Sequence, residues 1–270
     1  MSATTSPLKG DDLYKALETP SSFALWRLGG AGVALRTQKS LLYIDPFLAP
    51  DGGPGWVRQQ PQVIDRLPPA DLILATHEHA DHTDPTALKP QLETSSSLFA
   101  SAEPSIEIAR KVGFPANRLR ALNLGDTFQH KNLTVTALDA RDEDPGSPPK
   151  RPLAYVIHDE DSGITFYHGG DAMMSPFFTQ AGEAHRIDVA CLSVGTTVDG
   201  AQYYLAPEEA ISAAKMLRAR VLIPMHWDLW TKNGVPASVW QPLLAVTTTP
   251  KVVIVPPGGN WQPGNAQSKG

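Results

Sequence analysis

The sequence predicts an α/β protein folded as a four-layer sandwich, with two sheets packed face to face and helices on their outer surfaces. Three observations predict it. Short strand-like runs cluster in both halves of the chain, helix-like segments accompany them in each half, and no linker-like change of composition separates the halves. The 270 residues are therefore read as a single domain, residues 1–270. At 41% hydrophobic and 19% charged residues, a chain of this length can bury roughly 70–75% of its unfolded surface, which excludes disorder. The 21 glycines and 25 prolines follow no fixed period, so they mark turns rather than a fibrous repeat.

Residues 1 to about 20 are polar. Three apolar runs follow at 23–28, 33–37 and 41–45, and the short connections at 29–32 and 38–40 allow only an antiparallel meander. Residues 51–61 read as a glycine- and proline-rich loop, and 71–76 as a short strand that stops at a polar cluster. Residues 103–111 read as a helix, with Pro104 in the first turn and Gly113 beyond the end. In the second half, 127–138 reads as a hairpin and 142–152 as another proline-rich loop. Strands are expected at 153–158, 164–168, 188–192, 221–225 and 251–255, and a helix at 207–217 opens on Pro207-Glu208-Glu209. Cys191, the only cysteine, lies in an apolar strand and is expected to be a buried, inert thiol; no intrachain disulfide can form.

The net charge of −5 argues against a polyanion held by bulk electrostatics, so no nucleic acid partner is expected. The first residues lack the basic and apolar regions of a signal peptide, and the longest uncharged stretch, 233–250, is interrupted by Pro236 and Pro242 and closes on Pro250. The expectation is a cytoplasmic protein that does not span a membrane.

The chemically informative segment is His77-Glu78-His79-Ala80-Asp81-His82, immediately after the strand at 71–76. In an extended or loop backbone, residues two apart point to one side. His77 and His79 can then converge on one cation while Asp81 and His82, past a turn, face a second. The helical H-E-x-x-H pattern of zinc proteases does not apply, because the position four after His77 is Asp81. A histidine-rich surface loop is the competing reading, disfavoured by three histidines and an aspartate gathered at one strand end.

H-x-H-x-D-H after a strand is the signature of the metallo-β-lactamase-fold hydrolases, which this sequence resembles. The segments FALWRLG (23–29), ATHEHADH (75–82), ALDA (137–140), YHGGD (167–171), HRIDV (185–189) and IPMHWD (223–228) resemble the L-ascorbate-6-phosphate lactonase branch, in order, over about 22–258. The resemblance implies the αββα sandwich of that fold and two divalent metal ions. One would be held by His77 and His79, the other by Asp81, His82 and His226, with Asp171 bridging them. Asp45 matches a position that orients a ligand histidine from behind. Taken alone, Asp171 reads equally as a loop or N-cap aspartate, His226 as a satisfied loop histidine and Asp45 as a turn-forming Asp-Pro. Trp227, Asp228 and Trp230 flank His226 and are candidates to line a substrate pocket, Trp227 and Asp228 as substrate contacts, although tryptophans also fill cores.

One segment departs from the wider superfamily. Where many members place a histidine after the strand equivalent to 133–138, this chain has Asp139-Ala140-Arg141-Asp142, as the lactonase branch does. Asp142 falls nearest the expected spacing and Asp139 is the alternative. Three aspartates and a bridging hydroxide would offset the formal charge of two divalent ions, and such an oxygen-rich site favours Mn2+ over Zn2+. The competing reading is that Asp142 merely begins a solvated loop and only one ion is firmly bound.

The resemblance thus implies a metal-dependent hydrolase, a lactonase in which a metal-bound hydroxide attacks an ester-like carbonyl. Asp81 would orient the hydroxide and pass a proton to the leaving alkoxide. The implied partner is a small-molecule ester or lactone, a phosphorylated sugar lactone such as L-ascorbate 6-phosphate among them. Alternatives are a metal-dependent phosphodiesterase or nuclease, and a non-catalytic module that binds metal or ligand. No phosphate cradle is evident, because Arg141 lies among acids and is expected to form local ion pairs. The loop at 46–69 and the tail after Gly258-Gly259-Asn260-Trp261 are short compared with that branch, and both are candidates for shaping a pocket or a homo-oligomer contact.

Overall fold

A computed structural model describes residues 6–53, 56–59 and 62–264. In chain order, α1 (Gly10–Glu18) precedes β1 (Ala24–Gly29), β2 (Gly32–Arg36) and β3 (Leu41–Ile44). A ribbon of β4 (Asp51–Gly53) and β5 (Trp56–Val57) follows, then β6 (Leu72–Leu74), α2 (Pro85–Leu88), β7 (Leu98–Ser101), α3 (Glu103–Val112) and β8 (Leu119–Ala121). The second half holds β9 (Thr127–His130), β10 (Leu133–Asp139), β11 (Leu153–Asp159), β12 (Ile164–His168), α4 (Phe177–Ala184) and β13 (Val189–Ser193). It ends with α5 (Pro207–Met216), β14 (Val221–Met225), α6 (Trp240–Val246), β15 (Lys251–Val252) and β16 (Asn260–Trp261).

Two seven-stranded sheets result, ordered β16-β1-β2-β3-β6-β7-β8 and β15-β14-β13-β12-β11-β10-β9. Each is an antiparallel meander continued by parallel strands. In the first, β16 to β3 are antiparallel and β3 to β8 parallel. In the second, β9 to β12 are antiparallel and β12 to β15 parallel. Sequence explains the difference. Along β10, Leu133, Val135 and Ala137 are buried while Thr134 and Thr136 are half-buried, the alternation of a sheet with one wetter face. Along β13 every residue is buried, as a parallel strand covered on both faces requires.

One core lies between the sheets, where Val33, Leu42 and Leu74 of the first meet Tyr155, Phe166 and Ile223 of the second. Outside the first sheet, α1, α2 and α3 cover Trp26, Tyr43 and Phe99; outside the second, α4, α5 and α6 cover Tyr167, Ala190 and Leu222. The molecule is therefore the α/β sandwich expected. The helix at 103–111 ends on Gly113 in the left-handed region, φ +116°, and α5 begins with the Glu209 carboxylate accepting from the Ala206 N–H at 2.8 Å. Cys191 is buried in the shared core, and burial pushes its thiol up to about 12.

Several elements differ from the sequence reading. The polar start contains α1, whose inner face needs only Leu13 and Leu17, one turn apart, both fully buried. The strands β7, β8 and β16 and the helices α2, α4 and α6 were not expected; most are short, and their apolar residues follow no legible period. The strand expected at 251–255 pairs only over Lys251–Val252. The loop expected at 51–61 contains the β4–β5 ribbon, while Pro54, Gly55, Gln60 and Pro61 lie outside the described residues. The stretch 233–250 contains α6, and no helix among the described residues is long and apolar enough to cross a membrane.

Candidate active site

The two sheets deliver the polar residues at the carboxyl ends of their strands. Asp45 follows β3, Thr76 to His82 follow β6, Asp142 follows β10, Asp171 follows β12 and His226 follows β14. Two of these adopt left-handed backbone conformations unusual for their residue types: Asp45 at φ +48° and His226 at φ +68°. The His226 N–H donates to Gly30 O at 3.0 Å, which holds that turn. Gly170, at φ +58°, allows the Asp171 loop to close on the histidine loop, since a Cβ there would lie 3.0 Å from the Thr76 Cβ.

Beneath the histidines, Asp45 and Thr76 form a buried hydrogen-bond network. Asp45 Oδ1 accepts from the Thr76 N–H and Oδ2 from the Thr76 hydroxyl, each at 2.7 Å. Because that hydroxyl proton is committed, Thr76 Oγ1 can only accept from His77 Nδ1, 3.1 Å away. Asp45 Oδ2 lies 2.8 Å from His82 Nδ1 and accepts its proton. Both imidazoles are thereby set to present Nε2 to the centre.

At the centre, His82 Nε2 lies 3.0 Å from Asp171 Oδ2, and His226 Nε2 lies 3.2 Å from Asp81 Oδ2 and 3.9 Å from Asp171 Oδ1. His77 Nε2 is 2.9 Å from His79 Nδ1 and 3.7 Å from Asp142 Oδ2. Burial would lower His82, but Asp171, Asp81 and Asp45 outweigh it and hold the imidazole well above its ordinary range. His77 moves oppositely, lowered by burial and then by His82. Burial would raise Asp81 and Asp171, yet His82 and then His226 hold both carboxyls below the usual carboxylate range. Asp142 is pushed up to about 8 by burial and by Asp171.

The structure brings His77, His79, Asp81, His82, Asp142, Asp171 and His226 together, with Asp45 behind them. Ligand atoms converge within 4.8 Å in two groups, His77, His82 and Asp171, and Asp81, His82 and His226. His79 stands at the edge, its Nε2 2.8 Å from Ser147 O. Asp139 is turned away, its Oδ1 accepting from the Arg141 N–H at 2.7 Å. The expected substrate contacts Trp227 and Asp228 pack against other partners. Trp227 packs edge-on against Trp240 under α6, with centroids 6.3 Å apart, and Asp228 is taken by Arg27, whose Nη2 lies 2.7 Å from Oδ1. Neither borders the pocket over the cluster. That pocket, of about 190 Å³, is walled by Trp56, Tyr204, Trp230, Asp144 and Ser147, with Asp81 and Asp171 in its lining. Sequence reasoning named Trp230 as a pocket candidate but missed Thr76 and the rest of this wall. For Thr76, adjacency to His77 was the available signal; Trp56 and Tyr204 carried none.

The donor set fits divalent cations. Asp142 Oδ2 and Asp171 Oδ1 are buried without a hydrogen-bond partner among the described residues. Such atoms are costly unless something completes them, and imidazole nitrogens with carboxylate oxygens are the donors a divalent ion takes.

Comparison with known proteins places these features in a wider group. The model of the β-lactamase superfamily domain matches residues 42–227. The chain is 25% identical to a probable L-ascorbate-6-phosphate lactonase of Escherichia coli O127:H6, over 84% of this chain and 77% of that one. It is 28% identical to a UPF0173 metal-dependent hydrolase of Myxococcus xanthus, over 88% of this chain and 79% of that one. Among solved structures, an isothiocyanate hydrolase from Delia radicum gut bacteria superposes with a TM-score of 0.72 at 19% identity, covering 88% of this chain and 98% of that one.

Proposed function

The chain belongs to the β-lactamase superfamily domain family and is a metal-dependent hydrolase, and on that premise we propose that it hydrolyses a small ester, a lactone first among the candidates. One observation carries the proposal: seven imidazole and carboxylate side chains gather at a small pocket whose lining includes His79, Asp81 and Asp171, five of the seven converge in two groups, and carboxylate oxygens of Asp142 and Asp171 are buried and unsatisfied. The lactone itself is supported only by the name of the Escherichia coli relative, at 25% identity.

Each residue has a role in this reading. His82 shows one free nitrogen, since Nδ1 is held by Asp45, so it serves a single ion. Grouped with Asp81 and His226, it leaves His77, His79 and Asp142 for the other, with Asp171 between the two sets. Two divalent ions there, Mn2+ or Zn2+, would supply positive charge that lowers the pKa of water towards ~7 and polarises an ester carbonyl. Three aspartates among the donors favour Mn2+. Asp81, ionised at neutral pH and facing the pocket, accepts a hydrogen bond from the attacking water and orients it, takes its proton as the oxygen adds to the carbonyl, and returns that proton to the departing alkoxide. Trp56, Tyr204 and Trp230 hold the remainder of the substrate and exclude bulk water.

The test compares wild type with Asp171→Ala, each loaded with Mn2+ or Zn2+, on lactone and phosphodiester panels. Loss of lactone turnover by roughly a hundredfold or more is expected. Equal turnover by both proteins would remove the two-ion reading, and cleavage of a phosphodiester without any lactone turnover would replace the lactone.

A further inference from the structure

The wall of the pocket bears on the substrate's body, away from the bond that is cut. Three aromatic rings face it. Trp56 stands edge-on to Trp230, centroids 6.0 Å apart, and Tyr204 lies over His226 at 4.4 Å with 36° between the planes. Trp230 and Tyr204 are buried, and Trp56 is half-buried at the rim. The wall residue that carries charge and is not a candidate ligand is an acid, Asp144, with Oδ1 fixed by the Gly146 and Ser147 N–H groups at 2.7 and 3.0 Å.

No lysine or arginine is among the described residues that line this pocket. Three cations stand outside the lining rather than in it, and of these Arg58 keeps Nε and Nη2 buried without a hydrogen-bond partner among the described residues. The Arg58 guanidinium sits 5.1 Å over the Phe47 ring and donates to Ala49 O, Lys232 Nζ lies 5.3 Å from the Trp56 centroid, and Arg141 pairs with Glu143 at 2.5 Å. A phosphate far from the reacting carbonyl would thus meet Asp144 and ring faces rather than a guanidinium fork or an ammonium. The cavity, about 190 Å³, is below the ~300–1,000 Å³ of sites that enclose drug-sized ligands, which limits the body to about one ring system.

From the ring wall, the acidic rim and the small volume, we infer that the substrate is an ester or lactone with a neutral, flat, apolar or aromatic body, and that it is not phosphorylated. This rests on the hydrolase reading above and separates the chain from the phosphorylated substrate in the name of its relative.

The test uses the full metal-loaded chain with two δ-lactones, dihydrocoumarin and 6-phosphoglucono-δ-lactone. Dihydrocoumarin is expected to have the higher kcat/KM by about tenfold or more. Trp56→Ala is expected to raise its KM about three- to tenfold, with Trp56→Phe recovering most of the loss, and to raise the KM of aliphatic δ-valerolactone by a clearly smaller factor. A higher kcat/KM for the phosphorylated lactone, or equal effects of Trp56→Ala on aromatic and aliphatic lactones, would overturn the inference. If neither lactone is opened, the ester reading fails by itself. Binding then decides the inference, with tryptophan fluorescence titrated by the two ring-opened acids. Tighter binding of 6-phosphogluconate than of 3-(2-hydroxyphenyl)propanoate overturns it, and the reverse supports it.

Discussion

Asp45 Oδ2 and His82 Nδ1, on residues 37 positions apart, meet at 2.8 Å in a fully buried setting. The same oxygen takes the Thr76 hydroxyl proton, so one carboxylate at the end of β3 determines the tautomers of two imidazoles: His82 directly, and His77 through Thr76. A carboxylate behind a ligand histidine fixes its ring and makes the outer nitrogen more basic.

Removing that support is expected to weaken metal binding without removing a ligand. Asp45→Asn should lower affinity for Zn2+ or Mn2+ by roughly 10–100-fold, and Thr76→Val by less, since Thr76→Val leaves the Asp45–His82 contact in place. Calorimetric titration of the metal-free variants checks this, with circular dichroism as the control for folding. Wild-type affinity in Asp45→Asn would show that the tautomer does not depend on Asp45.

Metal uptake is expected to release protons, one from His82 and up to one more from Asp142, whose carboxyl is pushed up to about 8. Without an ion, three carboxylates hold His82 above its ordinary imidazole range, so it remains protonated at neutral pH and must lose that proton to ligate. The sign is definite: a raised pKa makes apparent affinity fall as pH falls. Titrations in buffers of differing ionisation enthalpy measure the proton count, and a value of zero at pH 7 would refute the assignment.

The Arg27–Asp228 pair is expected to hold the His226 turn. Arg27 is buried, donates through both terminal nitrogens to Asp228, and also donates to Val255 O at 3.1 Å and to Gly30 O at 3.5 Å, the oxygen that receives the His226 N–H. Arg27→Met should cost about 3–5 kcal/mol in urea denaturation, because it removes the two-pronged guanidinium partner of a partly buried carboxylate. Metal affinity should fall with it, and unchanged affinity would separate the pair from the site.

His168 supplies a pH-dependent contribution to stability. Its Nε2 lies 2.9 Å from Ala31 O, and its Nδ1 accepts from the Gly170 N–H at 3.3 Å, so the ring is neutral with the proton on Nε2. Burial holds its pKa below 6.5. A lowered folded-state pKa means the unfolded chain binds more protons in that window, so this contribution is full above about 6.5 and is lost as pH falls towards the folded value. The stability gap between wild type and His168→Gln should narrow from pH 7 to pH 5, and a constant gap would exclude the effect.

Local patterns were legible wherever the reason for them was local. Four of the seven candidate ligands lie in six consecutive residues after an apolar strand, the β1–β3 meander follows from two short connections, and α5 announces itself through Pro207-Glu208-Glu209. The helix α1 was not legible, because two leucines suffice to dock it and its other residues are polar.

From the sequence alone came the strand-end H-x-H-x-D-H, the layered α/β class and the aspartates that make the site oxygen-rich. These depend on residue type and short-range period, which the backbone converts directly into facing and turning. Only the tertiary structure decided that Asp142 rather than Asp139 reaches His77, that Asp228 belongs to Arg27, and that Trp56 and Tyr204 join Trp230 in walling the pocket. Arg27 and Asp228 are 201 residues apart, and Trp56 and Trp230 come from opposite halves of the chain. Such pairs meet because two sheets bury a shared core, and no local pattern encodes which loops that packing brings together.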